Sequence, residues 1–167
     1  MGLIHIDAHA DVNDEMFGEK IAHGTTFRRA VEEGLIDPHR TVQIGLRGTG
    51  YTAEDFDWCR QQGFRVVQVE ECWGRSLTPL MAEVRERLGA GPVYFSLDID
   101  GIDPAYAPGT GTPEIAGLTV PQTLEIIRGA WGLDLVGADV VEVSPPYDPQ
   151  GTPSLIHISE PTRLGMI

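Results

Sequence analysis

The sequence predicts an α/β fold, three layers in αβα order around a mainly parallel sheet. Three observations carry that expectation. Five short apolar runs recur along the chain, segments of helical period separate them, and acidic clusters close two of the runs. Strands of a parallel sheet covered on both faces are apolar throughout rather than alternating, and these runs have that character. Ligands of such sheets sit beyond the carboxyl ends of the strands, so chemistry is expected at that edge.

The expected strands are residues 3–7, 42–46, 65–69, 93–98 and 135–143, each read as a buried run. Between the first two, residues 27–35 carry Phe27, Ala30, Val31 and Leu35 on one side of a helix. Phe56, Cys59 and Phe64 flank a charged run before the third strand. Leu77, Leu80, Met81, Val84 and Leu88 follow helical spacing before the fourth. Residues 120–131 form the last helix, with Thr119 as its N-cap and Pro121 in its first turn. The tryptophans Trp58, Trp73 and Trp131 lie at the edges of these periodic runs and read as core or interface residues.

The chain has 167 residues, 41% of them apolar, which suffices for one core, and no stretch is apolar for the length of a membrane span. Twelve basic residues against 25 acidic ones give a formal charge of −13, which argues against a nucleic-acid or anionic-membrane partner and leaves cations as ligands. Cys59 and Cys72 cannot form a disulfide framework, no charged-then-apolar leader opens the chain, and a cytoplasmic setting is expected. Neither cysteine has a histidine beside it, so both read as packing residues.

The first acidic cluster is Asp7-Ala8-His9-Ala10-Asp11. Asp7 and His9 share a strand face, at a spacing suited to ligands of adjacent metal ions. Asp11 can join them only if the chain curls after His9, for which Asn13 and Asp14 supply turn chemistry. The second cluster is Ser96-Leu97-Asp98-Ile99-Asp100-Gly101-Ile102-Asp103-Pro104. Asp98 and Asp100 share a face, while Asp103 falls out of phase and reads as a turn residue. Buried carboxylates at strand ends are costly unless cations compensate. Oxygen-rich donors with one imidazole favour hard or borderline divalent ions, Mn²⁺ over Zn²⁺. The plainer alternative, a set of N-caps and solvated loop acids, would have to arise twice. His5 is in phase with Asp7 but deeper in its strand, and reads as a core histidine.

These residues resemble the signature of the ureohydrolases, the arginase and agmatinase family. The resemblance extends to Gly18-Glu19-Lys20, to His23-Gly24-Thr25-Thr26-Phe27-Arg28-Arg29, to residues 107–114 and to Val141-Glu142-Val143-Ser144-Pro145-Pro146-Tyr147-Asp148, and these segments are similar to the agmatinase and guanidinobutyrase branch. It implies an arginase-like fold, here incomplete, and two Mn²⁺ ions. Asp7 and Asp98 would bridge the ions, His9 and Asp100 would complete one position, and Asp11 would belong to the other. His23 would be the catalytic histidine that passes a proton to the leaving amine, and Glu142 would hold the guanidinium by a forked pair of hydrogen bonds. Asp100 would also orient the attacking hydroxide, held between the metals.

The implied activity is hydrolysis of a linear guanidino compound to an amine and urea, with agmatine to putrescine placed first and 4-guanidinobutanoate as the alternative. Three acids against one lysine in residues 14–20 are the reason for that order. The family's further histidine, from an upstream Gly-Gly-Asp-His motif, has no counterpart here. The expectation is therefore the carboxyl-terminal part of a ureohydrolase catalytic domain over residues 1–153, one metal position short of a ligand, from a homo-oligomeric parent. Residues 154–167 resemble a translated sequencing adapter and are expected to be a foreign tail. Two other classes compete. One is an inactive metal-binding fragment; the other is a dimetal phosphoesterase, which an acidic site without a basic cluster suits poorly. The loop of residues 109–112 lacks the lysine of a phosphate-binding loop and reads as a wall beside the metals.

Overall fold

A computed structural model describes residues 1–48 and 56–148. The segment of residues 154–167, expected to be foreign, lies outside the described residues. Among the described residues nine helices and strands alternate: β1 (Gly2–Ile6), α1 (Thr26–Glu32), β2 (Thr41–Leu46), α2 (Asp57–Gln62), β3 (Arg65–Gln68), α3 (Thr78–Leu88), β4 (Pro92–Asp98), α4 (Val120–Gly129) and β5 (Asp134–Val141). The strands form one parallel sheet in the order β3-β2-β1-β4-β5. Every expected strand is present, and the α/β reading holds.

Alternation along the strands divides two cores between the faces. Ile4 and Ile6, Val42 and Ile44, and Val93, Phe95 and Leu97 pack against Met81, Val84 and Leu88 of α3 and Ile126 of α4. Leu3 and Val66 face the other way, onto Phe27, Ala30 and Val31 of α1 and Cys59 of α2. Gly45, at φ 101°, bulges β2 so that Leu46 changes sides and joins this second core. The helices thus lie on both sides of the sheet, as the apolar runs require.

Three elements differ from expectation. Helix α1 stops at Glu32, because Gly34 turns left-handed at φ 70° and returns the Leu35 N–H to Ala30; Leu35 is left exposed. Residues 69–71 form a 3-10 turn instead of prolonging β3. Strand β5 is not a buried run: each of its residues is exposed or half-exposed, because no described helix covers it and none of its residues joins a core, whereas β3 at the other edge keeps Val66 and Val67 buried. Among the described residues β3 and β5 end the sheet, and β1 is paired on both sides. Trp58 joins the second core, but Trp73 and Trp131 keep half or more of their surface exposed. Among the described residues no helix is long and apolar enough to cross a membrane.

Candidate metal centre

Parallel pairing puts the ends of β1 and β4 side by side, with Ile6 opposite Leu97, so the two acidic clusters meet. Beyond β1, which ends at Ile6, the chain bends at Ala8 and His9 and then curls at Asp11, which adopts φ 52°. The Asn13 N–H bonds to Gly24 and the Phe27 N–H to Asp11, closing the curl on the segment before α1. Beyond β4, the Asp98 carboxylate caps the turn of residues 99–101 by accepting the Asp100 N–H at 2.9 Å. Asp103 is a turn residue as expected, accepting from the Ala105 and Gly117 backbone.

Ligand atoms of Asp7, His9 and Asp100 all lie within 4.8 Å of one another, and so do those of His5, Asp7 and Asp11. His9 Nδ1 stands 3.1 Å from Asp100 Oδ2 and 3.4 Å from Asp7 Oδ1. Asp7, Asp98 and Asp100 are buried, and His9 is half-buried. Backbone donors fix the carboxylates: the His9 N–H bonds to Asp7 Oδ1 at 2.6 Å and the Ala8 N–H to Asp100 Oδ1 at 3.0 Å. Gly48 gives the His9 ring room, since a Cβ there would stand 2.4 Å from it.

So many carboxylates out of water cannot all stay ionised. Burial, then the charges of Asp7 and Asp100, pushes Asp98 up to about 10, and burial with Asp7 pushes Asp11 up to about 7. Burial also opposes the charge on Asp7, but His5 and His9 beside it outweigh burial and hold Asp7 well below the carboxylate range. Hydrogen bonds to Asp100 and Asp7 raise His9 to about 10. No lysine or arginine lines the cavity among the described residues. Clustered oxygens with one imidazole, short of positive charge, fit a divalent cation.

The other expected residues border the same cavity of about 800 Å³. His23 opens the turn of residues 23–25 and is exposed at the cavity wall. Glu142 also lines it but is exposed rather than buried, because none of β5 joins a core among the described residues; it follows that strand at φ 59°. The loop of residues 109–112 does wall the site, and Thr112 donates to Asp100 Oδ2 at 3.1 Å.

Four contributors escaped the sequence reading. Glu114 brings a carboxylate oxygen 3.9 Å from His9 Nε2. Arg47 directs its guanidinium at the carbonyls of Gly45, Asp100, Gly101, Glu114 and Ile115, tying two strand ends to the 112–117 loop. Asp139 accepts from Tyr94 and Ser96, and Gln43 bonds to His5. An arginine directly after an apolar run was the one local signal available; Gln43 and Asp139 depend on strand register, and Glu114 on the path of the loop before α4.

The chain matches the Arginase family over residues 1–159. It is 75% identical over 156 residues to a guanidinobutyrase of Pseudomonas aeruginosa, covering 93% of this chain and 49% of that protein. It is 62% identical to a mitochondrial agmatinase of Gallus gallus, covering 93% and 46%. The structure of proclavaminate amidino hydrolase from Streptomyces clavuligerus superposes with a TM-score of 0.88 at 43% identity, covering 93% of this chain and 52% of that one. The chain spans about half the length of the curated relatives it matches. With a parallel sheet whose β1 and β4 ends gather carboxylates and an imidazole, and with that match over nearly its whole length, the chain belongs to the arginase family.

Proposed function

We propose that this chain carries the catalytic face of a manganese-dependent amidinohydrolase, which cleaves a linear guanidino compound to an amine and urea. The observation that carries the reading is the convergence of Asp7, His9 and Asp100, with Asp11 and Asp98 beside them, on a cavity that also exposes His23 and Glu142. Asp7, His9, Asp11, Asp98 and Asp100 would hold the ions, His9 and Asp100 at one position and Asp11 at the other, with Asp7 and Asp98 serving both. Divalent ions bound there supply a nucleophile from water at neutral pH.

The chain's own residues do the rest. Glu142 faces the cavity without an arginine to neutralise it among the described residues, and binds the substrate guanidinium by a forked pair of hydrogen bonds. Asp100, held by the Ala8 N–H and Thr112, orients the attacking water. As the water oxygen joins the guanidinium carbon, the bond from that carbon to the tail nitrogen breaks. His23 delivers a proton to that nitrogen, which leaves as the amine.

For the substrate tail the reading moves to 4-guanidinobutanoate, with agmatine second. The acids of residues 14–20 that favoured an amine tail are turned elsewhere. Asp14 pairs with Arg28 and Arg29, and the segment shows the cavity Met16 and Phe17 rather than Glu15 or Glu19. What then weighs is the 75% identity to the guanidinobutyrase. The acidic cavity still favours a cationic tail, which keeps agmatine in play. Urea release from both compounds with Mn²⁺ added tests the reading. Faster release from 4-guanidinobutanoate is expected, faster release from agmatine reverses the order, and turnover of a phosphate ester with none of a guanidine overturns the class. A homo-oligomer is the proposed assembly, to be checked by sedimentation.

A further inference from the structure

One row of the sheet lies a single step below the carboxylates and is polar from strand to strand. Register places Gln43 of β2 beside His5 of β1, His5 beside Ser96 of β4, and Ser96 beside Asp139 of β5. His5, Gln43 and Ser96 are buried, where leaving a donor unpaired is costly, and Gln43 spends its Nε2 donors on this row while its Oε1 has no partner among the described residues. Ser96 donates to Asp139. The other half of the row leads to Asp7: Gln43 Nε2 lies 2.7 Å from the Ala10 carbonyl and 3.1 Å from His5 Nδ1, and His5 Nε2 lies 2.8 Å from Asp7 Oδ2.

Donor and acceptor roles along this chain of contacts are forced. The Ala10 carbonyl can only accept, so the Gln43 amide nitrogen must face it, and the same nitrogen then faces His5 Nδ1. Nδ1 is therefore the ring's acceptor, Nε2 carries the proton, and that proton is donated to Asp7 Oδ2. Both ring nitrogens are spoken for, although His5, Asp7 and Asp11 lie close enough together to look like a ligand trio. The Phe27 ring, 4.2 Å away, packs against the imidazole. Asp7 Oδ1 is fixed separately by the His9 N–H.

We propose that Gln43 and His5 are positioning residues: Gln43 fixes His5 as a donor, His5 orients the Asp7 carboxylate toward a divalent cation, and His5 itself stays outside the ligand set. The inference rests on the metal-centre reading, but the tautomer at its base does not. Nitrogen NMR of the metal-free chain, labelled at histidine, should show His5 protonated at Nε2 and bare at Nδ1; the opposite tautomer overturns the proposal.

Mn²⁺ affinity, followed by the electron paramagnetic resonance of the free ion, then separates the roles. His5→Phe should bind about 10–100-fold more weakly, as losses behind a ligand typically do. His5→Gln, which keeps an amide donor near the place of Nε2, should stay within about threefold of the parent chain. Equal losses in both variants would make His5 a ligand, and no loss in His5→Phe would make it mere packing; either result overturns the proposal. Should His5→Phe not fold, Gln43→Glu carries the test. An acceptor placed against Nδ1 should move the ring proton there and weaken Mn²⁺ at least about tenfold, and unchanged tautomer and affinity overturn the proposal. A parent chain that binds no Mn²⁺ would sink the metal-centre reading instead, while the tautomer still reports on the relay.

Discussion

Glu142 follows its strand at φ 59°, where a residue with a Cβ is strained by roughly 1 kcal/mol, and that strain turns its carboxylate onto the cavity wall. Strain held at a site is exchanged for function, so relieving it should separate the two. Glu142→Gly should gain about 1 kcal/mol of stability in denaturant unfolding, while kcat/KM for the guanidino substrate falls at least about tenfold. The two cysteines show the reverse case, side chains with nothing to do but pack. Burial raises Cys59 to about 12 and Cys72 to about 11. Both should resist thiol reagents at pH 8 until the chain unfolds. The linkage has a definite sign. The unfolded thiols ionise near their ordinary value while the folded ones stay protonated. Stability should therefore be unaffected by these groups below about pH 8.5 and fall as pH rises toward 11–12, by up to about 1.4 kcal/mol per pH unit for each thiol. Equilibrium unfolding across pH 8–11 measures it.

Helix α4 shows what a sequence discloses about an element. Thr119 accepts the Gln122 N–H, Gln122 reaches back to the Thr119 N–H, and Gln122 also bonds to the Cys72 and Arg75 carbonyls. Thr119→Ala should cost about 1 kcal/mol in denaturant unfolding. The cap was legible because its partners lie three residues apart. The strands were legible for the same reason, since their apolar runs are continuous; the shared strand face expected for Asp7 with His9 and Asp98 with Asp100 was not, because the strands end at Ile6 and Asp98 and turns bring each pair together. Contacts set by register were not. Nothing local to Gln43 says that it will lie beside His5, and nothing near Asp139 announces Ser96. The exposure of β5 was hidden too. A covered strand and an uncovered one spell out the same valines: β3 and β5 both end the sheet, yet Val66 and Val67 are buried while Val136 and Val140 are exposed.

At the scale of the molecule, acidity and sheet order pull in different directions. A charge of −13 keeps copies apart, whereas the β5 edge, which has no strand partner beyond β4 among the described residues, is flanked by Leu135, Val136 and Val140, all substantially exposed. That edge invites pairing with another chain. Val136→Lys should lower concentration-dependent association, read by light scattering, with a change in unfolding free energy of about 0.5 kcal/mol or less.

The order β3-β2-β1-β4-β5 also fixes when the centre can exist. Asp7 lies at the beginning of the chain and Asp100 near its middle; Ala8 and Asp100, 92 residues apart, are joined by one hydrogen bond. Two strands and three helices intervene and must find their places before β4 docks against β1. Closing so long a loop is an entropic cost that local contacts do not repay. The meeting of the two acidic clusters therefore belongs to the last stage of folding rather than its nucleus. In a refolding experiment helical signal should return first, and the capacity to bind Mn²⁺ should lag behind it.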